Sequence, residues 1–228
     1  LGTGNINAAD KAHIAYGWKA GGAPSANNKR RVDGSSTEIT LSANASPNAN
    51  QYGGGNAAQY VKQSVNSVGK FSITEYQGPT TTSGVSKIPH GLGVAPDMII
   101  VKAKEASASW AVWHNAFSAT QYALLDTPAA VATGSQIWGG TVSGRTDHVS
   151  FSYNAYTWNE ANPGVKYIMY CWAAVSGVSA FGTYEGQGGA NTITYTGSNT
   201  FSARYLMIKN IDLSDSWVVH DIFRDMSY

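Results

Sequence analysis

The residues of this sequence that could do chemistry begin with five histidines, two of which stand beside an aspartate. His148 follows Asp147, and His220 precedes Asp221. Adjacent residues on a strand point to opposite faces, so we do not expect either pair to share a metal ion. We therefore interpret the histidines as structural and predict no metal site. A site assembled from separate strands is the open alternative.

Two glutamates, Glu75 and Glu185, stand at matching positions of an internal repeat. A pair of carboxylates can hydrolyse a glycoside when the two groups face each other at roughly 5–10 Å. Matching positions in two copies need not face each other, and no Gly-x-Ser-x-Gly motif is present. We predict no catalytic residues. A polysaccharide depolymerase that uses these glutamates, Asp126 or Asp147 is the least favoured alternative.

The single cysteine, Cys171, lies inside the apolar run 167–173. One thiol excludes a disulfide within the chain, and its setting is typical of a small buried hydrophobic residue. The glycines of 91–93 precede a predicted strand, and those of 53–55 lie in a polar stretch. Neither set is placed at a helix N-terminus, where it could hold a phosphate. The sequence predicts no cofactor.

The elements that position these residues are organised by an internal duplication. Segments 96–102 and 203–209 are both short, apolar and closed by a lysine, and each is followed by Ser-Trp at the same interval. Chance rarely preserves one offset across several landmarks, so we infer a repeat. We interpret the two segments as central strands of two related sheets or half-sandwiches.

Two further pairs of segments belong to the same duplication. Segments 13–18 and 167–172 share the pattern Ile-x-Tyr-x-Trp, and segments 71–78 and 181–188 both run from Phe to Gln-Gly. Their period of two predicts strands. The first copy also contains an insertion, 24–67, which is rich in Ser, Asn, Ala and Gly and has too few apolar residues for a core. We predict an extended arm that becomes ordered against a neighbour.

The aromatic residues divide into two groups by the same repeat. Four tryptophans recur with it, and we assign them to the core: Trp18, Trp110, Trp172 and Trp217. Four other aromatic residues have no aromatic counterpart: Trp113, Trp138, Tyr156 and Trp158. Exposed aromatic residues stack on sugar rings or pack against another subunit. We therefore take this second group as candidate ligand or interface residues, with packing inside the domain as the alternative.

The remaining patterns complete an all-β prediction. Segments 122–125, 136–138 and 148–153 are predicted strands, and no segment has convincing helical periodicity. We predict an antiparallel β-sandwich of lectin-like or jelly-roll style, with an internally duplicated strand pattern and an extended polar arm. The predicted division is 1–23 as the leading strand of a preceding or shared module, 24–67 as the arm, 68–180 as a β-sandwich module, and 181–228 as the start of a second, truncated copy or the completion of the same sandwich.

Composition narrows the functional classes. Apolar residues make up 43% of the 228 residues and charged residues only 13%, about half the usual ~25%. Ser, Thr, Asn and Gly must therefore cover the surface, as is common in extracellular and virion β proteins. The net charge is +1 and the only basic run is 29–31, so we predict no nucleic-acid binding. No apolar stretch approaches ~20 residues, so we predict no membrane insertion.

Six segments carry a resemblance to a known family: Tyr16-Gly-Trp-Lys-Ala-Gly-Gly-Ala-Pro24, Leu41-Ser-Ala-Asn44, Phe71-Ser-Ile-Thr-Glu-Tyr-Gln-Gly78, His90-Gly-Leu-Gly-Val-Ala-Pro-Asp-Met-Ile-Ile-Val-Lys102, Trp110-Ala-Val-Trp-His114 and Tyr167-Ile-Met-Tyr-Cys-Trp-Ala173. The sequence resembles a repeat-containing β domain family of tailed bacteriophages. That family occurs chiefly in tail-fibre-like structural proteins of phages that infect marine bacteria and cyanobacteria. The resemblance implies a virion structural protein with a lectin-like β-sandwich, and it supplies no set of catalytic residues.

We therefore expect a non-enzymatic fibre or appendage segment that acts by oligomeric assembly and host-surface attachment. The expected partners are further copies of the chain, with a trimer favoured, and other virion proteins. The alternatives are a carbohydrate-binding adhesin domain that contacts host-surface glycan and a capsid-decorating head fibre. No signal peptide is visible, so we expect synthesis in the host cytoplasm and a final place on the virion surface. The absence of an initial Met suggests an interior piece of a longer polypeptide.

Overall fold

The computed structural model describes residues 15–22, 29–31, 38–40, 61–78, 85–134, 137–152, 165–189 and 201–222. All regular secondary structure in these residues is β-strand, and they contain no helix that could cross a membrane. The strands are β1 (Lys29–Arg31), β2 (Glu38–Thr40), β3 (Val61–Asn66), β4 (Phe71–Gln77), β5 (Val85–Pro89), β6 (Met98–Ala103), β7 (Ala111–His114), β8 (Gln121–Leu124), β9 (Ala132–Thr133), β10 (His148–Ser152), β11 (Lys166–Trp172), β12 (Tyr205–Ile208) and β13 (Val218–Asp221).

The largest sheet is antiparallel and has the strand order β3-β4-β11-β6-β7-β8-β9. Although β11 follows the other six in sequence, it inserts between β4 and β6. Its alternating positions are apolar on both sides, with Tyr167 and Met169 on one face and Ile168 and Tyr170 on the other. Large side chains on both faces are typical of a strand that is covered on two sides.

The core lies between this sheet and the antiparallel pair β5–β10. Tyr76 and Met169 of the large sheet are fully buried, as are Ile88 of β5 and Phe151 of β10. Tyr76 stacks on Phe151 across the two layers, with ring centroids 5.8 Å apart. Burying each of these side chains stabilises the fold by about 1.5–3 kcal/mol. The structure thus confirms the predicted all-β, antiparallel sandwich.

The backbone register of two hairpins confirms the internal duplication. In the first hairpin, Met98 of β6 pairs with His114 of β7. In the second, Tyr205 of β12 pairs with Asp221 of β13, and these are the residues that the constant offset predicts. The same holds for the other three pairs in each hairpin. The prediction of a central strand is confirmed for β6, whereas β12 pairs only with β13 among the described strands.

Three predicted elements differ from the structure. Of segment 13–18, residues 15–18 are described and form no strand, and segment 181–188 forms none either. Their sequence pattern matches that of β11 and β4, but a strand also needs backbone partners on its flanks. The predicted arm 24–67 extends too far toward the C-terminus, because its residues 61–66 form β3, the edge strand of the large sheet. Most of the remaining arm lies outside the described residues.

The turn after β5 explains the His-Gly-Leu motif. His90 is buried; its Nδ1 accepts a hydrogen bond from the Leu92 N–H at 3.2 Å, and its Nε2 lies 3.2 Å from the Arg145 carbonyl oxygen. Gly91 has a φ of 72°, and a Cβ there would lie 2.8 Å from Oε1 of buried Gln63. Burial lowers the pKa of His90 to about 4, so the ring is neutral at physiological pH. The motif therefore has a structural role.

Candidate functional site

The outer face of the large sheet carries repeated aromatic residues. Each strand presents side chains to this face at every second position, and the register aligns them into rows across the sheet. In one row Tyr170 stands opposite Ile73, and in the next Trp172 stands opposite Phe71. The two rows therefore place the large aromatic residues of β11 near the middle of the face.

Four aromatic side chains form a nearly parallel set, which we call the aromatic face: Phe71, Trp110, Tyr170 and Trp172. The ring centroids of Phe71 and Trp172 are 5.0 Å apart, with an interplanar angle of 28°. Tyr170 lies 6.1 Å from Trp172 and 6.4 Å from Trp110. Phe71 is buried and the other three are half-buried. Aromatic pairs contribute about 0.5–1.5 kcal/mol beyond their buried area, so the set stabilises its own geometry.

Residues 15–22, which we call the leading segment, add two aromatic residues to one end of this face. Trp18 contacts Trp172 edge to face, with centroids 5.8 Å apart, and contacts Tyr205 of β12 at 6.0 Å. Tyr16 lies 4.7 Å from Tyr205, and its hydroxyl donates to Oδ2 of Asp221 at 2.6 Å. Trp18 is 50% exposed and Tyr16 is 42% exposed. Large aromatic surface is therefore available to solvent at this end.

The leading segment is held in place along β3. The side-chain amide of Asn66 donates to the Lys19 carbonyl oxygen at 2.9 Å, and the hydroxyl of Ser64 donates to the Gly22 carbonyl oxygen. Gly21 lies so close to β3 that a Cβ there would come within 2.0 Å of the Val65 carbonyl oxygen. Only glycine fits this approach, so the backbone contact fixes the position from which Trp18 reaches the aromatic face.

The second hairpin lies on the same outer face and reaches the β8–β9 edge of the sheet. The indole N–H of Trp217 donates to the Leu124 carbonyl oxygen at 2.8 Å, and the Val131 N–H donates to the Ile211 carbonyl oxygen at 3.2 Å. Trp217 packs with the smaller apolar residues of the outer face. The loop between β12 and β13 exposes Ile211 and Leu213. The leading segment and the second hairpin therefore both present apolar side chains to solvent.

Beyond the aromatic residues, the outer face becomes charged. Glu75 of β4 forms an ion pair with Lys104, and Lys62 stands opposite Glu75 on β3. Burial raises the pKa of the Tyr170 hydroxyl, and the nearby charge of Lys104 opposes that rise. The predicted solvent-side position of Glu75 agrees with this geometry. Its carboxylate forms an ion pair with Lys104 and does not face a second carboxylate among the contacts described.

Two predicted candidates lie in the core instead of on the surface. Trp113 is 1% exposed and Trp138 is 3% exposed, so their predicted exposure is wrong. Alternation along β7 turns Trp113 to the inner face, where its N–H donates to the Ser118 carbonyl oxygen at 3.4 Å. The N–H of Trp138 donates to the Gln121 carbonyl oxygen at 3.0 Å. The other two candidates, Tyr156 and Trp158, lie outside the described residues.

The repeated tryptophans, which the sequence assigns to the core, have two different environments. Trp110, Trp172 and Trp217 are half-buried and pack against a second buried cluster on the outer face, whereas Trp18 is exposed. The repeat identifies positions of equal environment, and it does not say which face of the sheet is covered. The sequence of β11 contains a signal of this second environment. Residues 168, 170 and 172 on one face are apolar or aromatic, and so are residues 167, 169 and 171 on the other. The outer face is partly covered: Ile100, Val112 and Ala123 are buried there, with Trp110, Trp172 and Trp217 packed against them.

The aspartate–histidine neighbours also differ from expectation. Nδ1 of His148 lies 2.9 Å from Oδ1 of Asp147, because Asp147 precedes β10 in a bend and is not bound by strand alternation. Burial alone would raise the pKa of Asp147, but the hydrogen bond and charge of His148 outweigh it and lower that pKa. Burial raises the pKa of the Cys171 thiol. Among the described residues, no three His, Cys, Asp or Glu side chains are grouped to hold a metal ion.

The carboxylates of the depolymerase alternative have separate surroundings. Asp126 accepts a hydrogen bond from the Trp110 N–H at 3.1 Å on the outer side of the sheet. Asp147 lies beside His148 at the start of β10 in the other layer, and Glu185 is exposed after β11. The contacts of these groups are those of side chains that fix loops and strand ends.

The fold and the site define a class of protein: an antiparallel β-sandwich with a duplicated hairpin and an aromatic outer face. The chain belongs to the family described as "Domain of unknown function (DUF7483)", whose profile matches residues 43–228. The matched range includes the large sheet and both hairpins and begins after the leading segment. No curated protein and no solved structure matches the chain.

Proposed function

We propose that the protein is a non-catalytic structural protein of a bacteriophage virion, a fibre or appendage segment that acts by oligomeric assembly and host-surface attachment. The observation that carries this proposal is the outer aromatic surface, on which Trp18 and Tyr16 remain exposed. The resemblance of the His90–Lys102 region to tail-fibre-like proteins and the low charge of the chain also support it.

The residue types on this surface are those of an interface centre. Tryptophan and tyrosine are enriched where subunits meet, and a truncated interface aromatic residue often costs about 2 kcal/mol or more of binding free energy. The charged pair Glu75–Lys104 lies beyond the aromatic residues, as a polar rim does. Symmetric copies joined through such a surface would display weak surface contacts many times and gain avidity.

The experiment is a comparison of molar mass by sedimentation for the wild-type chain and two variants. Trp18→Ala removes the exposed indole, whereas the control Val68→Ala removes a side chain that is 83% exposed in the β3–β4 turn. The proposal predicts that Trp18→Ala raises the concentration at which copies associate and that Val68→Ala leaves it unchanged. A wild-type chain that stays at 24.1 kDa at every concentration would contradict the proposal.

A second candidate, a carbohydrate-binding adhesin, is favoured by one specific observation. The indole N–H of Trp172 is buried and has no acceptor among the described residues. Leaving such a donor unmatched costs about 1–3 kcal/mol, so a sugar that stacks on Trp18 and opens its contact with Trp172 would gain a hydrogen bond from this N–H to a hydroxyl. Binding of the chain to host polysaccharide, lost in Trp18→Ala and retained in Val68→Ala, would support this candidate. The same assay on Trp158→Ala tests the sequence-based candidate.

A further inference from the structure

The leading segment repeats the sequence pattern of β11, which is an inner strand of the large sheet. Tyr16 and Trp18 stand at the positions that match Tyr170 and Trp172 of β11, at one constant offset. In the large sheet, β11 lies between β4 and β6 and pairs with both. In the leading segment the same pattern forms no strand and contacts its surroundings through side chains.

The second copy of the repeat contains the sequences that flank β11 in the large sheet. β12 and β13 reproduce β6 and β7 in identical register, and residues 181–187 match β4 in sequence. The strand that would correspond to β11, between them, is not among the described residues, where β12 pairs with β13 alone. The second copy thus presents the two flanks of a central strand, and the leading segment presents the pattern of the strand itself.

The register of the first sheet predicts how the two would pair. Trp172 lies opposite Met98, and Cys171 lies opposite Ile99. If the leading segment paired with β12 in the same register, Trp18 would lie opposite Tyr205 and Gly17 would lie opposite Leu206. Within one chain the rings of Trp18 and Tyr16 lie 6.0 Å and 4.7 Å from that of Tyr205, so the aromatic residues of this pattern fit beside β12.

Within one chain this pairing is restrained. Hydrogen bonds from Asn66 and Ser64 hold residues 19–22 along β3, and Trp18 rests on Trp172 of the first sheet. Residues 15–18 form no strand, so Gly17 is not paired with Leu206 of the same chain. The leading segment of one chain therefore touches the end of β12 without lying along it.

We propose that β12 is completed by strand addition from a second copy of this chain, whose leading segment pairs antiparallel with Tyr205–Ile208 in the register of β11 on β6. The inference rests on the proposed function as an assembling protein and names the contact by which copies join. Main-chain hydrogen bonds would give the affinity, and alternate side chains would give the register. Because the donor segment and the acceptor strand are different surfaces, the contact closes as a reciprocal dimer or as a ring of copies.

A mixture of two variants, each with one added cysteine, tests this contact directly. One full-length chain carries Gly17→Cys and the other carries Leu206→Cys. The Cys171–Ile99 pair lies between hydrogen-bonded pairs, since Lys104 donates to Lys166 at 2.8 Å and the pattern alternates along the strands. Side chains of such non-hydrogen-bonded pairs are close enough for a disulfide. Gly17→Cys also restores the residue type that β11 has at this position, and the native Cys171 is buried.

The expected result is a disulfide between the two different chains, and none when Met207→Cys replaces Leu206→Cys, because Met207 points to the other face. Equal yields from both would show non-specific contact and overturn the inference. Met207→Pro, which removes the backbone N–H that would face the added strand, provides a second measurement. If this variant associates like the wild type and no in-register disulfide forms, the inference fails while the proposed assembly stands. If the wild-type chain never associates, both fail.

Discussion

Trp18 and Trp172, which occupy matching positions of one repeated strand pattern, contact each other edge to face with ring centroids 5.8 Å apart. One of them belongs to the middle of the large sheet, and the other belongs to a segment that forms no strand. The contact shows that the repeated tryptophans form a surface on the sheet rather than its core. That surface is the basis of the proposed assembly.

The assignment of inner and outer faces predicts unequal costs for two tryptophan truncations. Trp113→Ala should lower the free energy of unfolding by about 3–5 kcal/mol, because it leaves a cavity in a filled core. Trp18→Ala should lower it by about 1 kcal/mol, since the ring is half solvated and loses only edge contacts. Urea unfolding of the two variants measures both values, and similar losses would contradict the assignment.

Gly21 should be required for the position of the leading segment. Gly21→Ala places a methyl group against the Val65 backbone and should displace residues 15–22 from β3. Gly17→Ala is the matched control, because a Cβ there meets nothing within 4 Å. Protease cleavage near residue 20 should become faster in Gly21→Ala only. Equal cleavage rates in the two variants would show that the contact with β3 does not hold the segment.

His90 should make stability depend on pH in a defined window. Its pKa is lowered from 6.5 to about 4, so the unfolded chain takes up a proton that the folded chain does not bind. The free energy of unfolding should therefore fall as the pH drops from about 6.5 to about 4, by roughly 3 kcal/mol. Burial is the main cause and nearby His148 adds to it, whereas the Arg145 carbonyl and Asp147 oppose it.

The matched variant for this prediction is His90→Gln, whose amide can replace the hydrogen bonds of the ring without titrating. Its unfolding free energy should change much less over the same window. The lowered pKa of Asp147 places the titration of that carboxylate below the window. An equally steep pH dependence in His90→Gln would assign the effect to other groups.

The ion pair of Glu75 predicts a small effect on stability and none on polysaccharide. Glu75→Gln should lower the free energy of unfolding by less than about 1 kcal/mol, because the pair is partly exposed. The wild-type chain and this variant should both leave host polysaccharide intact, as measured by release of reducing ends. Release by the wild type that disappears in Glu75→Gln would establish the depolymerase alternative instead.

Part of this fold could be predicted from the sequence because it depends on alternation alone. The patterns of β4, β6 and β11 located those strands and the duplication. β3 was missed because its buried position is occupied by Gln63, whose amide donates to Thr74 and to the Pro89 carbonyl oxygen. A polar side chain whose amide N–H groups are bonded in the core breaks the apolar pattern and leaves no local signal.

The faces of the sheet could not be predicted for a related reason. Alternation separates Trp113 from Val112, but it does not say what covers each side: β5 and β10 cover Trp113, and Val112 lies in a second buried cluster. These environments depend on contacts between residues distant in sequence, such as Tyr76 with Phe151. For this reason the sequence predicts exposure for Trp113 and Trp138, which are buried, and burial for Trp18, which is exposed.

The central claim is that the outer aromatic surface is buried when copies assemble. Hydroxyl-radical footprinting of the full chain at low and high concentration tests it, with oxidation of each aromatic residue read by mass spectrometry. The account predicts that oxidation of Trp18 and Trp172 falls as the molar mass rises, while buried Trp113 is protected throughout. Assembly that leaves Trp18 and Trp172 as reactive as in the dilute chain would contradict it.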